Sequence, residues 1–437
     1  MTDREVLIIG AGVAGLSAAS TLAEHGIKVR VIDMAHSLGG NIYRQPVNGS
    51  SRFPMTKEHR KSWARIHTRF QKNSSNIKLD LNKRFAGIDR TGTVFISDPS
   101  DKKSELLKPV AVIIATGSSE RVMPRNGWTL PGVKTAGAIQ TAMKMSGKAP
   151  SGRVILAGSG PLLLAVGAQM TKLGNPPLCI LEAGQPFSHP LKALKLPKEY
   201  IFEAIDYAHR LRRANVQILT GATISQISQA TSSNEFEVEI RNSKGQTHRI
   251  LATEVGLHDG LLPSDPFEEN FGGMLVRKSG DCLEINGGRA AEIDGARTGQ
   301  EIAGMLLGKD LIDPGLTRKL DRHRDAQRTI AEIYANNAVK ELANLQSDTV
   351  ICRCENRTLN DLEALNDQTA KEVRLVGRFG MGACQGRFCT HWVEKLRETN
   401  ENNSSAKASN RWPVRPVSIR SLVEADYVNS ITDETKA

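Results

Sequence analysis

The sequence predicts an α/β protein with two Rossmann-type dinucleotide-binding units and a small C-terminal domain built around four cysteines. Three features predict it: a strand, glycine turn, helix, strand and acid at the N-terminus; a second copy of that pattern near residue 155; and four of six cysteines gathered in the last fifth of the 437 residues.

The first unit opens with Glu5-Val-Leu-Ile-Ile9, an apolar strand. Gly10 permits the tight turn, Gly12 lets the backbone approach a pyrophosphate, and Gly15 lets the next helix pack on the strand. A helix through Leu16–Leu22 follows, its N–H groups aimed at phosphates, and Gly26 ends it. Lys28–Asp33 is the second strand, with Asp33 placed to accept ribose hydroxyls. In the loop His36–Gln45, Gly40 and Arg44 are candidates to close over the pyrophosphate. Residues 57–72 read as a helix, and Ile77–Leu81, Thr93–Ile96 and Leu107–Ile114 as strands. The last runs into Ala115-Thr-Gly-Ser118, a turn through Thr116 and Gly117 that recurs in two-dinucleotide flavoproteins where the chain leaves the flavin domain.

The pattern repeats as a strand at Arg153–Ala157, the turn Gly158-Ser-Gly160, a helix at Pro161–Leu173 and a strand at Leu178–Glu182. Leu163 stands where the third glycine belongs, which should hold helix and strand apart and narrow the phosphate pocket. An occupied nucleotide site and an empty structural unit are both open here; if occupied, Glu182 favours an unphosphorylated ribose, as in NAD or an adenine nucleotide. Strands at Val216–Leu219 and Phe236–Ile240 continue the second unit, and the pair Gly280-Asp281 and a helix at Thr298–Leu307 then complete the first domain after this interruption. Asp313-Pro-Gly315 marks a boundary, and Thr317–Leu345 reads as a helix whose arginines and acids form a solvated, ion-paired face. The expected division is 1–118 plus 253–312, a flavin-type domain; 119–252, a second nucleotide domain; 313–345, a connecting helix; and 346–437, a metal domain with a tail.

Lys and Arg outnumber Asp and Glu by 58 to 47, giving a net charge of +11. With aromatics at 5% and no basic run interleaved with them, a nucleic-acid platform is excluded. No apolar run reaches the roughly 18 residues of a membrane span, and the first apolar stretch leads into the glycine turn rather than a cleavage site. A cytoplasmic, reducing location follows, with peripheral membrane association left open. The cysteines are then thiols or metal ligands.

Cys352-Arg-Cys354 and Cys384-Gln-Gly-Arg-Phe-Cys389 form a quartet beside glycine turns. Structural zinc prefers Cys-x2-Cys knuckles, which neither pair has; two pairs suit a 2Fe–2S cluster, in which each iron takes two thiolates. Zinc and plain buried thiols are the alternatives. Gly380, Gly382 and Gly386 leave backbone N–H groups to point at the sulfurs. Cys179 and Cys282 read as core or loop thiols, and His258 as a satisfied loop histidine. No cysteine lies between residues 34 and 178, which argues against a thiol-disulphide enzyme.

Taken together, Gly10–Gly15, Gly39–Gln45, Ala115–Arg121, Gly127–Gly137, Gly158–Leu164, Gly260–Ser264, Gly280-Asp281, Gly287–Ala291, the quartet and Arg415-Pro-Val417 resemble the larger flavoprotein subunit of bacterial heteromeric amine oxidases and dehydrogenases. That family includes the larger chain of opine (octopine/nopaline) oxidase, the B subunit of hydrogen cyanide synthase and the alpha subunit of hydroxyproline and proline dehydrogenases; length and tail look most like the opine oxidase chain. The resemblance implies FAD, with Asp281 on its ribityl chain, a 2Fe–2S cluster, and a flavin mononucleotide at a subunit contact as a further cofactor. It implies a smaller flavoprotein (beta or B) subunit that oxidises the amine or opine, a third small subunit in some complexes, and a quinone or other acceptor. This chain would relay electrons, and no catalytic side chain is assigned to it. The alternatives are a self-sufficient NAD(P)H-dependent flavin oxidoreductase and a non-catalytic assembly subunit. The chain departs from the family at Asn41, at Arg277-Lys-Ser279 and at Cys282–Asn286, so an irregular segment is expected over 277–286.

Overall fold

The computed structural model describes residues 5–47, 53–89, 91–98, 104–231, 235–265, 273–398, 414 and 416–423. Arg415 lies outside them. The chain builds two parallel five-stranded sheets, each organised by one of the two repeated units.

In the first sheet Val6–Ile9 lies between Val29–Asp33 and Ala111–Ile114, with Ile77–Leu81 and Leu275–Lys278 at the edges. The central strand is wholly buried because helices cover one sheet face and a three-stranded antiparallel sheet over residues 84–107 covers the other, which is why it reads as a continuous apolar run. Helix α1 (Val13–Glu24) packs on it and is itself buried along almost its whole length. Helix α2 (Lys57–Lys72), capped by Thr56, is amphipathic and buries Ile66 and Phe70. The polar edge strand at 275–278 is regular rather than broken: it pairs in register with Ala111–Ile114, while Arg277 meets Glu301 at 2.6 Å and Lys278 meets Asp265 at 2.6 Å. An edge position gives charged side chains room to reach partners. The expected irregularity at 277–279 is therefore corrected, and the departure from the family pattern leaves the strand intact.

Helix α3 (Ala136–Ser146) enters the second sheet, whose central strand Val154–Gly158 lies between Cys179–Glu182 and Glu254–His258, with Gln217–Thr220 and Val133–Thr135 outside. Helix α4 (Pro161–Lys172) follows its glycine turn, and Leu163 is buried in the core between that helix and the sheet. The short α5 (Pro190–Ala193) and the long α6 (Lys198–Arg213) are additional to the helices expected from the sequence. A three-stranded antiparallel sheet over residues 223–252 completes this half.

Helix α7 (Gly287–Leu307) is longer than the expected 298–307 and packs on α1. Helix α8 (Pro314–Ile333), capped by Asp313, stops at Tyr334 rather than reaching Leu345; a 3-10 segment, Ala338–Asn344, follows. Asn336-Asn337 interrupts the run, as expected for residues whose side chains compete for backbone bonds. The ion-paired face does form, with Arg322 on Glu199 at 3.2 Å and Arg328 on Asp325 at 3.0 Å. No helix among the described residues is long and apolar enough to cross a membrane.

The cysteine-bearing segment is anchored to the crossover between the sheets. Trp128, buried in the Gly127–Gly137 loop, donates Nε1–H to the carbonyl of Val350 at 2.7 Å, and Arg353 lies over its ring at 5.1 Å. Trp392 donates to the carbonyl of Val122 at 2.7 Å. The two stretches that carry the most specific sequence signal thus touch each other.

Candidate functional site

A cavity of about 1470 Å³ opens between the two sheets and the C-terminal segment. It exceeds the roughly 300–1,000 Å³ of ordinary small-molecule sites, so it has room for more than one ligand. Gly10, Gly12, Asp33, Gly40, Arg44, Thr116, Gly117 and Asp281 line it, as the sequence leads one to expect of a single dinucleotide cradle.

The cradle's backbone is shaped by close approach. Gly10 has φ +113°, and a Cβ there would lie 2.3 Å from the Ala115 carbonyl oxygen; at Gly15 it would lie 1.9 Å from the Gly10 carbonyl oxygen. Gly15 therefore serves packing, outside the cavity wall, while Gly12 faces open space with only the Gly40 Cα at 3.8 Å. The N-terminus of α1 has no side-chain cap, which leaves its first N–H groups directed at the cavity. Asp33 is held by the N–H groups of Ala11 (2.6 Å) and Ala35 (2.7 Å), fixing the carboxylate at the strand's end. Thr116 donates to the Ser264 carbonyl at 2.6 Å, which ties the Thr116–Gly117 turn to the returning chain. Asp281 Oδ1 accepts N–H bonds from Asn286 and Gly287 at the start of α7, and burial pushes this carboxyl above its ordinary range.

Two cations flank the Gly40 loop. Arg44 donates to Asn41 Oδ1 at 2.8 Å, and its Nε is buried with no hydrogen-bond partner. Lys144, on α3, is buried; its Nζ donates to the Asn41 carbonyl (2.7 Å) and to Gln140 Oε1 (2.9 Å). Burial, and then the charge of Arg44, push this ammonium down to about 7. An orphaned donor beside a depressed ammonium is the electrostatic imprint of an anion, and a dinucleotide's pyrophosphate fits it. Lys144 was not foreseen from the sequence.

Its lowered pKa has a sign. Between about pH 7 and its ordinary value near 10.5, the unfolded chain binds a proton at this position that the folded chain does not. The ligand-free chain should therefore gain stability as pH rises through that window and lose it as pH falls towards 7. Urea midpoints should be higher at about pH 9.5 than at about pH 7, and Lys144→Met should raise the lower value and flatten the difference.

The second unit is built alike, but its turn glycines and its acid lie off the cavity. Gly158 has φ +137° and would clash with the His258 carbonyl oxygen if it carried a Cβ. Glu182 is buried, accepts from the N–H groups of Gly160 (2.9 Å) and Gly184 (2.8 Å), and lies 2.7 Å from Ser159 Oγ. The Tyr334 carbonyl oxygen, at the end of α8, sits 3.1 Å from the same hydroxyl. Unlike Asp33, Glu182 does not line the cavity, nor do Gly158 and Gly160. His258 Nδ1 lies 2.9 Å from Glu120 Oε1 and is buried, a satisfied histidine beneath this turn.

The four expected ligand cysteines converge as two pairs. Cys352 interacts with Cys389 and Cys354 with Cys384, with charge coupling between the pairs. The Gly380 N–H faces both Cys352 and Cys389, Glu355 and Cys354 supply further N–H groups to Cys352, and Cys384 supplies one to Cys354. The hydrogen bond between the two thiols, helped by these N–H groups, holds the Cys352 thiol down at about 6, while the same hydrogen bond and burial hold Cys389 well above the usual thiol range. Gly382 is required by contact: a Cβ there would stand 2.3 Å from that of Cys354. No group of three or more His, Cys, Asp or Glu side chains that could hold a metal ion is formed among the described residues. Two thiol pairs with backbone N–H donors are the donor set that a two-iron centre takes, two thiolates to each iron. Gly380, Gly386 and Cys389 line the same cavity as the glycine cradle. Cys179 and Cys282 are buried core thiols, Cys282 lying 2.9 Å from the Ile114 carbonyl.

The chain is 29% identical to the A-type subunit of opine oxidase from Agrobacterium tumefaciens (strain Ach5), over 97% of its own length and 92% of that protein's. It is 26% identical to the hydrogen cyanide synthase subunit HcnB of Pseudomonas protegens, over 96% and 97%. Its fold is like that of L-proline dehydrogenase from P. horikoshii, with a TM-score of 0.62 at 16% identity, covering 96% of this chain and 79% of that one. A family model of pyridine nucleotide-disulphide oxidoreductases matches residues 4–282, well over half of the chain, and the chain belongs to that family.

Proposed function

We propose that this chain is the electron-transferring FAD and 2Fe–2S subunit of a heteromeric complex that oxidises an amine or opine, divided into the discontinuous flavin domain, second nucleotide-type domain, connecting helix and cysteine domain set out above. Membership of the family implies FAD, and relatives named as subunits point to a partner chain. The observation that carries the reading is that one cavity is walled both by the dinucleotide cradle and by Gly380, Gly386 and Cys389. When bound, the flavin would accept two electrons and the cluster would carry them singly to a quinone or other acceptor.

The chain's own part is positional. The uncapped start of α1, Arg44 and Lys144 would hold the pyrophosphate, Asp33 the adenine ribose and Asp281 the ribityl chain. Cys352, Cys354, Cys384 and Cys389 would hold the irons, with Gly380 N–H hydrogen bonds tuning their sulfurs. Glu182 is spent on its own backbone and on Ser159 beneath Tyr334, which favours the second unit as structural. The test is anaerobic reduction of the flavin: the amine substrate with the partner subunit should bleach it, and NADH added to the chain alone should leave it oxidised. Rapid bleaching by NADH would instead make the chain a nicotinamide-dependent reductase.

A further inference from the structure

After the acidic strand of the second sheet the chain turns outward. Five large apolar side chains between residues 187 and 205 stand in solvent: Phe187 (66% exposed), Leu191 (77%), Leu194 (75%), Phe202 (67%) and Ile205 (58%). They occupy α5, its flanking turns and the first half of α6, a stretch set by Pro186, Pro190 and Pro197. Isolated exposed apolar residues are ordinary, but such a concentration on one segment marks a contact surface.

The charge around them is one-sided. Lys192 and Lys195 adjoin the two leucines, Lys198 opens α6, and Arg212 and Arg213 close it. The acids of α6 are neutralised: Glu199 by Arg322 (3.2 Å), Glu203 by Arg289 (3.1 Å) and Asp206 by Arg210 (2.8 Å). Lys192 reaches Glu332 at 2.9 Å, while Lys198, Arg212 and Arg213 form no ion pair among the described residues. A protein interface core is enriched in aromatic residues, methionine and arginine but depleted in lysine, and three lysines fall within this segment. Phenylalanine and leucine interleaved with lysine are the composition of segments that lie in a lipid headgroup region.

We propose that the Phe187–Ile205 segment docks this chain on an anionic lipid bilayer, its apolar side chains seated at the headgroup boundary and its lysines on lipid phosphates. Phe187 and Leu196 also line the cavity. On the relay reading above, on which this one point rests, the membrane would therefore stand at the opening by which a lipid-dissolved acceptor enters.

The test is flotation of the purified full-length chain with phosphatidylglycerol–phosphatidylcholine vesicles and with phosphatidylcholine vesicles alone. The chain should float with the first and stay largely free of the second. The double substitution L191E/L194E should lower the bound fraction roughly tenfold, and K195E/K198E should weaken binding mainly at low salt. Both pairs are exposed enough that thermal midpoint and flavin content should match the parent chain. As a second readout, L191W should show a blue-shifted emission on anionic vesicles. A parent chain that never floats, or leucine variants that float as well as it does, would overturn the proposal. So would leucine variants that keep vesicle binding and lose a co-purifying protein, which would make the surface a protein interface. Vesicle binding is read without turnover, so this proposal and the relay reading fail separately.

Discussion

Gly12→Val is expected to yield a folded chain that no longer retains flavin. Gly12 sits at φ −79° and ψ −172°, a conformation open to any residue, and an added Cβ meets only the Gly40 Cα at 3.8 Å. The protein itself therefore has room for the side chain. What it fills is the gap between the uncapped start of α1 and the Gly40 loop, where a pyrophosphate must come within hydrogen-bond distance of backbone N–H groups. Losing that approach should weaken flavin binding by roughly a hundredfold or more, about 3 kcal/mol. The ratio of flavin to protein absorbance after gel filtration reads the loss, and far-ultraviolet circular dichroism reads the fold. Gly10→Ala and Gly15→Ala should behave differently. They would drive a Cβ to within 2.3 Å of the Ala115 carbonyl oxygen and 1.9 Å of the Gly10 carbonyl oxygen, respectively, and at Gly10 φ is also unsuited to alanine. Those variants should be recovered poorly or with a markedly lower melting temperature, flavin or not.

The second large effect is expected at Cys384. Cys384→Ser removes one of the four sulfurs and leaves Cys354 without its pair, while touching nothing in the glycine cradle. The variant should lose its iron chromophore, keep its flavin, and lower amine-dependent turnover of the assembled complex by roughly a hundredfold. Full turnover with the cluster gone would end the relay reading. Cys179→Ser is the control, since that thiol is buried in the core of the second sheet and lines neither site; flavin and iron should be unchanged by it.

Much of this was legible in the residues. Gly10, Gly12, Gly15 and Asp33 could be read because a phosphate-binding turn constrains backbone approach, and only particular residues at particular spacings satisfy it. The quartet was legible for a similar reason: thiols come together in pairs when flanked by glycines that can turn their N–H groups inward. Lys144 was not. A lysine in an amphipathic helix reads as solvated, and its burial depends on Asn41, a contact made across 103 residues of chain. Nor could the motif show that the second unit's acid lies off the cavity, since Glu182 stands where a ribose acceptor should. What covers it is the Tyr334 carbonyl at the end of a helix more than a hundred residues away, and a backbone oxygen leaves no mark in a sequence. The polar strand at Arg277–Lys278 misled for the opposite reason. Its charges look disruptive in one dimension and are satisfied in three by Glu301 and Asp265.

The claim that the flavin's electrons leave through the cysteine segment depends on what the four thiols hold, and that can be measured directly. The chain should be purified anaerobically, assayed for iron, zinc and acid-labile sulfide, and examined by electron paramagnetic resonance after reduction. The account predicts about two irons and about two sulfides per chain, with the rhombic signal of a reduced 2Fe–2S centre. Stoichiometric zinc without iron, or four free thiols in a chain that retains its flavin, would contradict it.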